Sequence, residues 1–349
     1  MVKILEFDEV IKQTESLAGK KCVLLGNGFS MAYDKKRFSF TDLLKTAIDE
    51  NIIDKDSNIL KIFEKLKTAD FEKVIRYLNN TISISEIYFP DTDKKQIKND
   101  IRQLKKYLVN TITNNHPDKV TDINPVLSEN CAGFLSHFQR IYTLNYDLLS
   151  YWVIMKNKSS YELGFTDGFG DDEDDIKDEI KNDYVTYKDS QHELLFLHGG
   201  LHLFDNKTST IKLTFSRTSE TLKKQIYKKL VSGIYPVFIS EGTSDDKLEK
   251  IRHNYYLNHC YKALKNQSGS LVIFGTTLKS NDDHIRKAIL ESKFRNIFIG
   301  IYSDDELSLA ESFMDEVDSR NQSLKSNQIK NVFLYNSKSI NPWNYIPKE

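Results

Sequence analysis

The sequence predicts an α/β fold, a mainly parallel sheet into which a helical module is inserted. Short apolar runs of strand length recur between residues 20 and 301, and helical patterns lie between several of them. From about 42 to 118 the strand-like runs give way to helical periodicity alone. A chain of 349 residues is long enough for one large or two ordinary domains, and its core needs no disulfide or metal staple.

Residues 20–25 (Lys-Lys-Cys-Val-Leu-Leu) form an apolar run closed by Gly26-Asn27-Gly28, the pattern of a buried parallel strand turning into a helix. Helical spacing follows in Thr41-Asp-Leu-Leu-Lys-Thr-Ala-Ile, Phe71-Glu-Lys-Val-Ile-Arg-Tyr-Leu and Ile97-Lys-Asn-Asp-Ile-Arg-Gln-Leu. This places a helical module at 42–118 between two parts of a sheet core, 15–41 and 119–345. Strand runs return at 139–144, 194–197, 211–215, 235–239, 270–274 and 296–301, with helices expected over 246–265, 282–292 and 304–320. A helix-like run also starts at Leu148. The acidic block at 171–182 reads as a solvated loop, because repulsion among like charges extends the chain. With no internal repeat and no Pro- or Gly-rich linker, the helical module is expected to pack on the sheet.

Composition narrows the classes and leaves nucleic acid unsupported. Lys plus Arg (49) balances Asp plus Glu (50), so no net field draws the chain to nucleic acid or an anionic membrane. The three cysteines are far apart and form no Cys-x-x-Cys, which fits a reducing, intracellular setting. Met1-Val-Lys-Ile-Leu-Glu-Phe-Asp carries acids where a signal peptide needs apolar residues, and no run reaches membrane-spanning length. A soluble, cytoplasmic protein without a membrane partner is expected.

Three sets of residues follow strand-like runs and carry candidate chemistry. Gly26 and Gly28 bracket a turn whose unpaired N–H groups and helix end suit a phosphate, but Met31 stands where a dinucleotide-binding dehydrogenase has its third glycine. Asn145 and Asp147 follow the 139–144 run, placed either to contact a ligand or to cap the next helix. His198 follows the 194–197 run, as a titratable base or as a structural histidine. Metal ligation finds no support in spacing. His198 and His202 would lie about 13 Å apart if extended, and His253 and Cys260 about 10 Å apart on a helix. Asp282 reads as a cap of the 282–292 helix.

In this order, Gly26-Asn27-Gly28-Phe29-Ser30, Thr143-Leu144-Asn145-Tyr146-Asp147 and Leu197-His198-Gly199 resemble the nicotinamide-cleaving site of the SIR2 (sirtuin-like) superfamily. Gly275-Thr276-Thr277-Leu278 is similar to its Gly-x-Ser-Leu segment, and Asn281-Asp-Asp-His-Ile resembles a string of the bacterial antiphage-defence branch. Ala69-Asp-Phe-Glu-Lys-Val and Asp167-Gly-Phe-Gly add short patches. The resemblance implies a SIR2-type, Rossmann-like core. NAD, as substrate, would be held by Gly26, Asn27, Gly28, Phe29, Ser30, Gly275, Thr276 and Thr277. Catalysis would fall to Asn145 at the ribose or a water, Asp147 at the carboxamide and His198 at a ribose hydroxyl. The implied activity is NAD glycohydrolysis in antiphage defence, gated by homo-oligomerisation or by an activating partner such as a HerA-like ATPase. Leu144 replaces the sirtuin Gln, and the four-Cys zinc module is missing. Both weigh against the alternative of a protein deacylase or ADP-ribosyltransferase. A non-catalytic NAD or ADP-ribose sensor is the other alternative.

Overall fold

A parallel strand covered by helices on both sides needs apolar residues on both faces, and Cys22, Val23, Leu24 and Leu25 meet that demand with no exposure at all. The computed structural model describes residues 3–346 except 39, 92, 158–163, 170–191, 206–209, 215–220, 233 and 240–242. The acidic block at 171–182 lies outside the described residues.

β1 (Ile4–Leu5) and α1 (Phe7–Ser16) precede β2 (Lys21–Leu25), which turns into α2 (Asn27–Tyr33) and α3 (Lys35–Phe38). Next come α4 (Phe40–Asp49), α5 (Asn58–Lys65), α6 (Phe71–Tyr88) and α7 (Lys95–Asn115). The described residues from 42 to 118 contain no strand. α8 (Pro125–Leu135) leads to β3 (Arg140–Thr143), α9 (Leu149–Lys156) and β4 (Glu193–Phe196). They are followed by β5 (Gly199–Asp205), β6 (Thr210–Lys212), α10 (Leu222–Val231), β7 (Pro236–Phe238), α11 (Ser244–His253) and α12 (Tyr255–Asn266). β8 (Ser268–Phe274), α13 (Asp283–Glu291), β9 (Lys293–Ile301), α14 (Asp304–Asn321) and β10 (Asn331–Asn336) complete the fold.

The central sheet has seven strands in the order β1-β10-β9-β8-β2-β3-β4, and every pairing is parallel. The expected runs at 20–25, 139–144, 194–197, 270–274 and 296–301 supply β2, β3, β4, β8 and β9. No described helix is long and apolar enough to cross a membrane.

Two expected strands belong elsewhere. The 211–215 and 235–239 runs contribute only the short β6 and β7, which flank β5 in a separate antiparallel sheet. Gly199 causes the departure: its φ is +81°, and a Cβ there would lie 2.1 Å from the Val237 carbonyl oxygen. The chain therefore swings out of the parallel sheet just after His198. The expected 246–265 helix is also two helices. Asn254 has extended backbone angles, and its side-chain oxygen accepts the Leu257 N–H at 2.9 Å, closing α11 and starting α12.

In the helical segment Ser57 caps α5 and Asp70 caps α6, accepting N–H bonds of 3.2 and 3.0 Å from Leu60 and Lys73. Val74, Ile75 and Leu78 of α6 and Leu104 and Leu108 of α7 are buried at helical spacing. Just past α7, His116 Nε2 accepts the Leu148 N–H at 3.0 Å, and its ring meets Trp152 edge-on at 4.5 Å.

Burial pushes the imidazoles of His116, His202 and His284 down to about 3. A group whose pKa is depressed on folding takes its proton first in the unfolded chain. Stability is therefore full above about pH 6.5 and falls as the pH drops toward 3, by about 1.4 kcal/mol per imidazole per pH unit. Denaturant unfolding at pH 5.5 is expected to show about 3 kcal/mol less stability than at pH 6.5 from these three groups, because the unfolded imidazoles are already half protonated at pH 6.5. His202, stacked on Tyr151 with neither ring nitrogen hydrogen-bonded, can be replaced by phenylalanine to remove one of them. A profile flat between these pH values, or unaltered by His202→Phe, contradicts this account.

Candidate functional site

The order of strands reverses around β2, whose neighbours β3 and β8 come from later and widely separated parts of the chain. Open α/β sheets bind ligands at such a point, beyond the carboxyl ends of the strands. A cavity of about 740 Å³ opens there. Gly26, Asn27 and Gly28 from the end of β2 line it, as do Asn145 and Asp147 after β3, His198 after β4, and Gly275, Thr276 and Thr277 after β8. Phe29 and Ser30 do not. Phe29 is buried against Trp343 at 5.3 Å, and Ser30 is fully buried behind the cavity wall.

The glycine turn works differently from its sequence reading. The Gly26 and Gly28 N–H groups are not left open for a phosphate. They donate to the Phe274 and Gly275 carbonyls, each at 2.9 Å. A Cβ on Gly26 would stand 2.4 Å from Thr276 Cβ, and one on Gly28 would stand 2.5 Å from Gly275 Cα. The glycines therefore let the β2 turn lie directly on the loop after β8, joining two sides of the cavity.

Ser30 is the hub of a buried network instead of a ligand contact. Its hydroxyl donates to Asp147 Oδ2 at 2.5 Å and accepts from Asn145 Nδ2 at 2.9 Å, while the same Nδ2 donates to the Gly26 carbonyl at 3.0 Å. Both hydrogens of the Asn145 amide are thereby engaged, leaving Oδ1 for a ligand. Asp147 Oδ1 accepts the Leu149 N–H at 2.9 Å, so the same residue faces the cavity and anchors the start of α9. Burial raises the Asp147 pKa, opposed by the Ser30 hydroxyl and the Leu149 N–H.

His198 meets a partner that sequence reasoning missed. Its Nε2 lies 3.0 Å from His284 Nε2, and the two rings stack at 5.2 Å. Burial, helped by the Lys247 charge, drives the His198 pKa well below its ordinary value. Asp282 makes no capping bond to α13. Its Oδ1 accepts from Lys247 Nζ at 3.1 Å and lies 3.9 Å from His198 Nε2. The string Asp-Asp-His-Ile was the available signal, but nothing local in it points to residue 198.

Spacing along the chain offered no metal set, whereas folding brings one ligand atom each from His198, Asp282 and His284 within 4.8 Å of one another. The Lys247 ammonium already answers the Asp282 carboxylate, and the two ring nitrogens lie within hydrogen-bond distance of each other. Each of the three side chains thus has a protein neighbour at hand, and we do not assign the trio as a metal centre. What the cavity offers chemically is a neutral imidazole, a carboxamide oxygen and a buried carboxyl group facing one space.

No curated protein matches the sequence. A family model does match residues 23–343, nearly the whole chain, and it carries the description "Domain of unknown function (DUF4917)". The protein that builds this cavity is thus a member of the DUF4917 family.

Proposed function

We propose that the cavity binds NAD and that the chain hydrolyses its nicotinamide–ribose bond, releasing nicotinamide and ADP-ribose. One observation carries the reading: Asn145, Asp147 and His198, the residues that resemble the SIR2 catalytic set, face the same cavity as Gly26, Gly28 and Gly275. Its volume of about 740 Å³ falls in the range of small-molecule and cofactor pockets.

The bond would break through an oxocarbenium-like transition state. Nicotinamide departs neutral because its ring nitrogen is cationic beforehand, so no acid is needed. The work left to the protein is to hold the carboxamide, orient a water and respond to charge on the ribose. In this reading Asp147 would hold the carboxamide, Asn145 Oδ1 would meet the ribose or the water, and His198 would meet a ribose hydroxyl. Within the same proposal, the enzyme acts in the cytoplasm in antiphage defence by depleting NAD. An unrestrained NADase would harm its host, so a homo-oligomer or an activating partner such as a HerA-like ATPase would gate it.

The test is nicotinamide release from NAD by the purified protein, alone and with such a partner. Asn145→Ala is expected to lower the rate by about 100-fold. It also strips a donor from the Gly26 carbonyl and the Ser30 hydroxyl, a loss of about 1–3 kcal/mol of stability that a melting curve should register. Release undiminished in Asn145→Ala, or absent from the wild type under both conditions, would end this reading.

A further inference from the structure

Ser244 and Lys247 stand one turn apart at the start of α11 and hold the start of α13 in two places. Lys247 binds Asp282, while Ser244 Oγ accepts the His284 backbone N–H at 2.6 Å and lies 3.2 Å from His284 Nδ1. The Tyr261 hydroxyl fixes the His284 carbonyl at 3.2 Å. His284 therefore has little freedom against His198. The Asp282 carboxylate, 3.9 Å from His198 Nε2, favours a hydrogen on that nitrogen over a lone pair. A serine oxygen has two lone pairs, enough to accept both the backbone N–H and an Nδ1–H from His284. With its proton on Nδ1, neutral His284 presents a bare Nε2, and the hydrogen in the 3.0 Å contact must come from His198 Nε2.

We propose that Ser244 and His284 are positioning residues that lock His198 in its Nε2–H tautomer and so turn a bare Nδ1 toward the ligand. A neutral imidazole has one proton, and with Nε2 bound to His284 the only nitrogen left for a substrate is Nδ1. The chemical step rests on the NAD reading above; the tautomer does not. In that step a ribose hydroxyl gives its proton to His198 Nδ1, and the oxygen keeps the electron pair beside the developing oxocarbenium ion. The Nε2–H bond stays shared with His284, and the Asp282 carboxylate, 3.9 Å from Nε2, balances the imidazolium charge. Water then captures the oxocarbenium ion, one of its protons restores the ribose hydroxyl, and the proton on His198 leaves to solvent as the single proton that the hydrolysis releases.

Ring-nitrogen NMR of the full-length, ¹⁵N-histidine-labelled protein tests the lock directly, because protonated and bare ring nitrogens resonate far apart. His198 signals are identified by their loss in His198→Gln. The expected spectrum has His198 bare at Nδ1 and protonated at Nε2, with His284 the reverse, and Ser244→Ala is expected to mix the tautomers. A His198 protonated at Nδ1 in the wild type, or a spectrum unaltered by Ser244→Ala, overturns the proposal. In nicotinamide release, Ser244→Ala is expected to lower kcat about tenfold with KM within about twofold, and Ser244→Thr, which keeps the hydroxyl, to restore it. A change in KM alone, or no rescue by threonine, counts against the positioning role. A wild type silent toward NAD would end the NADase reading, and the ring spectrum would still decide the tautomer.

Discussion

Replacing His198 with alanine is expected to lower nicotinamide release by a factor of about 10² to 10⁴, the contribution of a positioned general base. The effect should fall on kcat, because the residues lining the rest of the cavity, including Gly275 and Thr276, are untouched and an NAD binding isotherm should move little. Truncation does leave His284 Nε2 without its neighbour, at a stability cost of about 1–3 kcal/mol. A melting curve beside the rate separates the two effects. If His198→Ala keeps its rate, the ring has no part in the chemistry. If rate and fold vanish together, the pair is structural.

The second large effect concerns the contact between the β2 turn and the loop after β8. A Cβ on Gly28 would stand 2.5 Å from Gly275 Cα, and one on Gly275 would stand 2.7 Å from both Gly28 Cα and Phe29 N. The obstructing atoms are backbone, so no rotamer change can relieve either clash. Gly28→Ala is expected to lose about 2–4 kcal/mol through overpacking and the broken bond to the Gly275 carbonyl. Gly275, at φ +74°, carries a further left-handed penalty of about 1–2 kcal/mol for alanine. Denaturant midpoints check both, and NAD affinity should fall with them because the two walls of the cavity part. A wild-type midpoint for Gly275→Ala would show that the loops are not held in contact.

Five of the seven central strands, β2, β3, β4, β8 and β9, were legible because each shows as an apolar run, whereas the sequence reading missed the two-residue β1 and the outlying β10. β5 was hidden by its opening Gly199-Gly200, which reads as a turn, although Gly199 in fact permits antiparallel pairing with β7. Asn145, Asp147 and His198 line the cavity because each follows a strand that ends at the same edge, a position the sequence does show. The destinations of polar groups were not legible. Where the Gly28 N–H goes depends on Gly275, and the partner of His198 is a lone histidine on α13. Such pairings arise only when remote segments meet, so no local pattern records them. Ser30 was misread for the same reason, its hydroxyl being claimed by Asp147 and Asn145.

The His116–Leu148 bond is a pin between the end of α7 and the loop that carries Asn145 and Asp147. Because burial pushes the ring's pKa down to about 3, it remains an uncharged acceptor throughout the physiological range. The joint therefore cannot be unlocked by acidity in the cell. Torque applied to the helical segment passes through it as geometry, and a protein gripping those helices would have a mechanical handle on the cavity with no titration step between.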